Sequence, residues 1–218
     1  HGLLRRQRQM CIRDSWSTAR YAPWQEVQLL DGLADRVLDG SISEIGVSNI
    51  GPKRLAWMQQ RLAERGVPLR SVQVQYSLLS PGDAKVDALR QLCRERGIEV
   101  LAYSPLAFGV LTMPPDGERR PRTVLQRQLL ARLQPASRSL RAVVATIAGQ
   151  RSVSMAQVAL NWCRAQGTTP IPGLRTPEQA RDVAGALQWS LTSAELDQLT
   201  VARQQCTVRT PSNPFQSA

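Results

Sequence analysis

The chain has 218 residues, 42% of them hydrophobic and 21% charged, enough to bury a sizeable core and unlike collagenous or disordered sequence. At ~150 residues per domain that length fits between one and two domains. The formal charge of +11, taken whole, suggests nucleic acid or an anionic membrane as a partner, but its placement argues otherwise. Residues 1–15 carry four arginines against Asp14, and residues 116–141 carry seven against Asp116 and Glu118. Every cation except Lys53 and Lys85 is arginine, a pattern that fits a compositional bias better than selection for phosphate contacts.

The four cysteines (Cys11, Cys93, Cys163 and Cys206) are widely spaced and form no C-x-x-C pair, and the one histidine is His1. This excludes a zinc-finger spacing and a disulfide framework, and no metal site is expected. No window holds the ~18 uninterrupted apolar residues of a membrane span. The sequence therefore reads as soluble and reduced.

In chain order, residues 1–15 (HGLLRRQRQMCIRDS) lack periodicity and differ in composition from the rest. RQMCIRDS resembles translated sequencing adapter, so 1–15 are expected to be a non-native or disordered leader and 16–218 the folded domain. Val27, Leu30, Leu33, Ala34, Val37 and Leu38 lie at helical spacing before Gly40 and predict a helix over 24–39. SISEIGVSN predicts a short strand, and Gly51-Pro52 opens a helix that Gly66 ends.

SVQVQY then predicts a strand, residues 83–96 a helix ended by Gly97, and IEVLAY a third strand. A turn-rich stretch, SPLAFGVLTMPPDGERRP, precedes helices expected at 123–133, 137–149 and 154–166. TTPIPG supplies a fourth strand, and helices over 176–187 and 192–204 follow, the last with Thr192 and Glu195 in capping-box spacing. Apolar helix faces and Trp57, Trp162 and Trp189 are expected in the core.

Strands alternating with helices predict parallel βα units in an open doubly wound sheet or part of a (β/α)8 barrel. Neither glycine-rich phosphate cradle, G-x-G-x-x-G nor G-x-x-x-x-G-K-[ST], is present. Polar or aromatic residues recur where strands end: Ser48 and Asn49, Gln73 and Gln75, Tyr103 and Ser104, Gly173 and Arg175. In a TIM barrel that rim carries the ligand chemistry.

Five segments now stand in register: GVSN at 46–49, VQVQYSLLS at 72–80, AYSPL at 102–106, ALNWC at 159–163 and TPIPGLRTPEQ at 169–179, with ALQWSLTSAEL after them. Together they resemble the C-terminal part of an aldo-keto reductase over residues 21–204. GVPLRSVQVQYSLLS, PRTVLQRQLL and the tail NPFQS are most similar to the family's plant pyridoxal-reductase type.

The resemblance implies an α/β fold comprising about the last four βα units of a TIM barrel, with the N-terminal strands missing. It also implies NADPH-dependent reduction of an aldehyde or ketone, pyridoxal among them, in chloroplast or cytoplasm. The expected partner is a small carbonyl substrate, with neither nucleic acid nor membrane. By position, Ser48, Asn49 and Gln73 would hydrogen-bond the nicotinamide carboxamide, and Tyr103 would stack on its ring. Ser104, Leu106 and Gly109 would close over the pyrophosphate. Gly173, Leu174, Arg175 and Gln179 would hold the adenosine 2′-phosphate end, where arginine offers a planar fork.

Simpler roles stand beside these: turn and cap chemistry for Ser48 and Asn49, core packing for Tyr103, a solvated cation for Arg175. Val183, Ala107 and Met113 depart from the family pattern of Asn, Gly and Gly. The family's catalytic Asp, Tyr, Lys and His lie on its first four strands, so no catalytic residue is assigned, and Tyr21 is not promoted to that role. A non-catalytic NADPH-binding or interaction module is the alternative. Arg119, Arg120 and Arg122 follow the expected pyrophosphate loop, and one of them is expected to reach cofactor phosphate.

Overall fold

A computed structural model describes residues 24–80, 84–117 and 124–211. The leader, Tyr21, Arg119, Arg120, Arg122 and the tail NPFQS all lie outside the described residues. Contacts divide the chain into two units: one built from residues up to 74 and from 82–101, the other mainly from 75–81 and 102–212.

In the first unit, α1 (Trp24–Leu38) buries Glu26, Leu30 and Ala34. Strand β1 (Ile45–Ser48) is buried along its whole length, and α2 (Pro52–Ala63) buries Leu55, Met58 and Leu62 at helical spacing. Helices α1 and α2 touch, and arginines stitch them: Arg54 to Glu26, Arg61 to Asp31, Arg65 to Asp35. Ion pairs with solvent access add little, whereas each buried leucine or methionine contributes roughly 1.5–3 kcal/mol. The apolar seam therefore decides the packing.

Strand β2 (Leu69–Gln75) buries Leu69, Val72 and Val74, and α3 (Ala84–Arg96) buries Val86, Leu89 and Cys93. Gly66 and Gly97 follow α2 and α3 with φ of +71° and +64°. A Cβ at either would meet nothing within 4 Å, so the left-handed backbone alone explains glycine there. Strands β1 and β2 are parallel, Val47 opposite Val72 and Ser48 opposite Gln73, with an irregularity between Ile45 and Gly46. With β3 (Glu99–Tyr103) and β4 (Thr169–Ile171) they make a four-stranded sheet in the order β1-β2-β3-β4. Sequential order with helical crossovers is the βα pattern expected from the sequence.

The second unit holds α4 (Val124–Ala136), α5 (Arg138–Arg151), α6 (Met155–Ala165), α7 (Pro177–Gly185) and α8 (Ser193–Gln205). Helix α6 is its centre, burying Ala156 and every residue from Val158 to Cys163. Tyr76 stacks on Trp162 with ring centroids 5.4 Å apart, and Thr210 N–H donates to Leu79 C=O at 2.7 Å, tying down the segment after α8. The capping box at Thr192 and Glu195 forms as the spacing predicts.

The turn-rich stretch is wound in tight turns over Ala107–Thr112, with non-helical backbone at Phe108 and Gly109. One expectation is corrected. Trp57 is not core: it is 39% exposed on α2, while Trp162 is 3% exposed and Trp189 half-buried. The buried face of α2 is already filled by Leu55, Met58 and Leu62, and Trp57, two residues from Leu55, is rotated off it.

Candidate cofactor-binding site

In the first unit the predicted polar trio comes together. Ser48 and Asn49 are 9% and 8% exposed. The Asn49 side-chain amide donates to Ser48 Oγ at 3.0 Å, and Asn49 N–H donates to Gln73 C=O at 2.9 Å. Asn49 adopts φ of +57°, a conformation asparagine tolerates better than most residues. Capping does not account for the pair, because the N-cap of α2 is Gly51 and receives no side-chain hydrogen bond. Two buried polar side chains therefore sit where β1 ends, placed by β1–β2 pairing.

In the second unit, Tyr103 ends β3 half-buried. Ser104 follows at φ +52°, and Ala107, Phe108 and Gly109 are also left-handed, at +47°, +59° and +85°. Such a run of disfavoured backbone is characteristic of ligand clamps. Ala107 N–H donates to Ser104 C=O at 2.9 Å, Gly109 N–H to Leu106 C=O at 2.9 Å, and Thr112 Oγ1 to Gly109 C=O at 2.9 Å.

This loop forms one wall of a cavity of about 500 Å³, within the range of small-molecule sites. Seven predicted residues line it: Ser104, Leu106 and Gly109 from the loop, Gly173, Leu174 and Arg175 from the β4–α7 connection, and Gln179 from the first turn of α7. A Cβ at Gly173 would meet nothing within 4 Å, so no protein atom fills that space. Thr176 caps α7, accepting from Gln179 N–H at 3.3 Å, and Gln179 Oε1 in turn accepts from Arg175 N–H at 2.9 Å. The Arg175 turn is thereby fixed at a helix N-terminus, a place suited to an anion.

Sequence reasoning missed Asp182, which lines the same cavity. Its carboxylate accepts from Ser154 Oγ at 2.8 Å and from Gln157 Nε2 at 2.9 Å, and Gln157 Oε1 accepts from Trp189 Nε1 at 3.0 Å. Gln179, Asp182 and Val183 stand at i, i+3 and i+4, so helical periodicity alone puts them on one face. Val183 presents an apolar side chain to the cavity, Ala107 is fully buried and Met113 is 8% exposed. Phe108 and Thr112 also line the wall and had no sequence signal beyond their neighbours. Among the described residues, no cluster of His, Cys, Asp and Glu could hold a metal, and no helix is long and apolar enough to cross a membrane.

The aldo/keto reductase family model matches residues 13–203. The chain is 42% identical to chloroplastic pyridoxal reductase of Arabidopsis thaliana over 205 residues, covering 93% of this chain and 55% of that protein. It is 33% identical to an uncharacterized oxidoreductase of Mycobacterium bovis, covering 80% of this chain and 53% of that one. A crystal structure of the thermostable aldo-keto reductase Tm1743 superposes with a TM-score of 0.59 at 24% identity, covering 81% of this chain and 54% of the other, which speaks to the fold alone. The chain thus spans about half the length of the relatives it matches. With a parallel α/β sheet in barrel order and a family match over most of its length, the chain belongs to the aldo/keto reductase family of oxidoreductases.

Proposed function

We propose that this chain supplies the cofactor-holding part of an NADPH-dependent reductase that converts an aldehyde or ketone to an alcohol, with pyridoxal as substrate. The observation that carries the reading is the cavity in the second unit, lined by Arg175 at the capped N-terminus of α7 and walled by a strained loop. Its chemistry fits a phosphorylated nucleotide: a guanidinium fork and helix N–H groups for oxyanions, an open approach at Gly173, and apolar Leu106 and Val183 against a flat ring. NADPH, when bound, supplies the hydride.

This chain's residues then have separate tasks. Ser48, Asn49 and Gln73 offer hydroxyl and amide groups to a carboxamide. Tyr103 offers a ring face, and Ser104, Leu106 and Gly109 shield the pyrophosphate from water. Gly173, Leu174, Arg175 and Gln179 hold the adenosine 2′-phosphate. No residue here is assigned as the proton donor, since a tyrosine in that role needs a lysine to lower its pKa. Similarity to the Arabidopsis reductase supports pyridoxal as substrate and a plastid location, with cytoplasm as the alternative.

The test is a fluorescence titration of the purified chain with NADPH, beside NADPH oxidation in the presence of pyridoxal. Saturable binding without turnover is expected. Turnover by this chain alone would overturn the claim that its residues lack the proton donor, and absence of binding would overturn the cofactor site.

A further inference from the structure

Arg141, on α5, is 2% exposed, yet among the described residues no carboxylate forms an ion pair with it. Its Nη1 donates to the carbonyl of Pro114 and, at 3.5 Å, to that of Gly117, and its Nη2 donates to the carbonyl of Gln134 at 2.8 Å. The nearby carboxylate of Asp116 is paired instead with Arg138. Burial pushes the Arg141 pKa down, Asp116 opposes that, and Arg138 adds to it. A buried guanidinium costs free energy unless its donors are satisfied; here backbone carbonyls take Nη1 and Nη2 at two places, the Pro114–Gly117 turn and the end of α4, while Nε has no partner among the described residues.

What those carbonyls hold explains the arrangement. The turn closes through Gly117 N–H to Pro114 C=O at 2.9 Å and follows directly on Ala107–Thr112. That segment carries three successive left-handed residues, of which Ala107 and Phe108 have a Cβ, and it forms the cavity wall. Strained backbone persists only where the surroundings over-determine it. On one side the loop is anchored by β3, and on the other by buried Met113 and then Arg141.

We propose that Arg141 is a positioning residue: by clamping the 114–117 turn to the end of α4, it keeps the 104–112 loop in its left-handed form, and with it the cavity wall. The consequence for ligand affinity rests on the cofactor reading given above, whereas the restraint on the loop does not.

The experiment compares wild type, Arg141→Lys, and Arg141→Lys combined with Ala107→Gly. Lysine keeps the charge but loses the fork that serves three carbonyls. Glycine at 107 adopts the observed φ without penalty, so the loop needs less restraint. Hydrogen exchange of the unliganded chain is read at the amides of Gly109, Leu111 and Met113, which donate within the loop, and NADPH affinity is read by fluorescence. Arg141→Lys is expected to speed exchange at those amides at least tenfold while α6 stays unchanged, and to weaken NADPH binding at least tenfold. Adding Ala107→Gly is expected to restore both by threefold or more.

Wild-type exchange rates in Arg141→Lys, an equal rise throughout α6, or no recovery from Ala107→Gly would each overturn the latch. If wild type itself fails to bind NADPH, the cofactor reading falls, and the exchange measurement still decides the latch.

Discussion

Replacing Glu195 by glutamine tests how the second unit is held together. The carboxylate takes donors from two elements: Arg151 Nη2 at 2.7 Å from α5, and Thr192 N–H and Oγ1 at 2.7 and 2.8 Å from the start of its own helix. Arg151 also lies over the Trp189 ring, 4.9 Å from its centroid. The Arg151 guanidinium foremost, with help from Thr192 and against opposition from burial, lowers the Glu195 pKa from 4.5 to about 2. At 1.36 kcal/mol per unit that shift has a ceiling of about 3.4 kcal/mol. Both side chains retain solvent access, so screening reduces the expected contribution to about 1 kcal/mol.

Because the folded pKa is depressed, this stability is fully present above pH ~4.5 and is lost as pH falls toward ~2. Glutamine keeps the shape but not the charge. Urea titrations are expected to show the variant about 1 kcal/mol weaker at pH 7, with the two proteins converging between pH ~4.5 and ~2. A difference that stays constant over that window, or a variant as stable as wild type at pH 7, would refute the electrostatic argument.

Gly185→Ala is expected to lower stability by about 1 kcal/mol in the same assay: its Cβ would come 2.8 Å from Gln157 Nε2, costing the bonds to Asp182 and Trp189, partly offset by alanine's better helix propensity. Cys93, fully buried with its thiol pKa raised to about 11 by burial, is expected to stay unreactive toward a thiol-specific disulfide reagent at pH 8 until the chain is unfolded. Arg175→Met is expected to weaken NADPH binding at least tenfold at low salt, with a smaller loss for NADH, as measured by fluorescence titration. Equal losses for the two would remove the 2′-phosphate assignment.

Regular elements were legible in the sequence because their signals are local. Apolar spacing located α1 through α3, glycines marked where α2 and α3 end, and the Thr192–Glu195 spacing marked the start of α8. Of the seven cavity residues, Ser104, Gly173 and Arg175 were legible as strand-end residues on the rim of a βα fold, whereas Leu106, Gly109, Leu174 and Gln179 were reached only through the resemblance to aldo-keto reductases. The left-handed turns of the loop were not legible, since no propensity favours the φ values of Ala107 and Phe108 in residues bearing a Cβ. Asp182 was hidden because a single carboxylate on an exposed-looking helix carries no pattern until Ser154 and Gln157 are seen to hold it.

Arginine shows how composition becomes structure. With 28 basic residues against 17 acidic ones, carboxylates cannot pair every cation, and the fold turns to backbone carbonyls for the remainder. Arg164 donates to the carbonyls of Ala186 and Trp189, Arg203 to that of Ser80, and Arg209 to those of Arg203, Cys206 and Val208. Several of these carbonyls lie at or just beyond helix C-termini, where acceptors are unsatisfied and the helix dipole favours a cation. A planar fork can bridge two or three such oxygens at once, which a lysine ammonium does less well. The arginines at these sites are thus part of the fold, not a surface offered to a polyanion. Arg175 differs from them: no carboxylate pairs with its guanidinium among the described residues, and it stands on the wall of the cavity. Its position on a cavity wall, in contrast to the arginines absorbed by the backbone, supports the proposal that the anionic end of a ligand lies at Arg175.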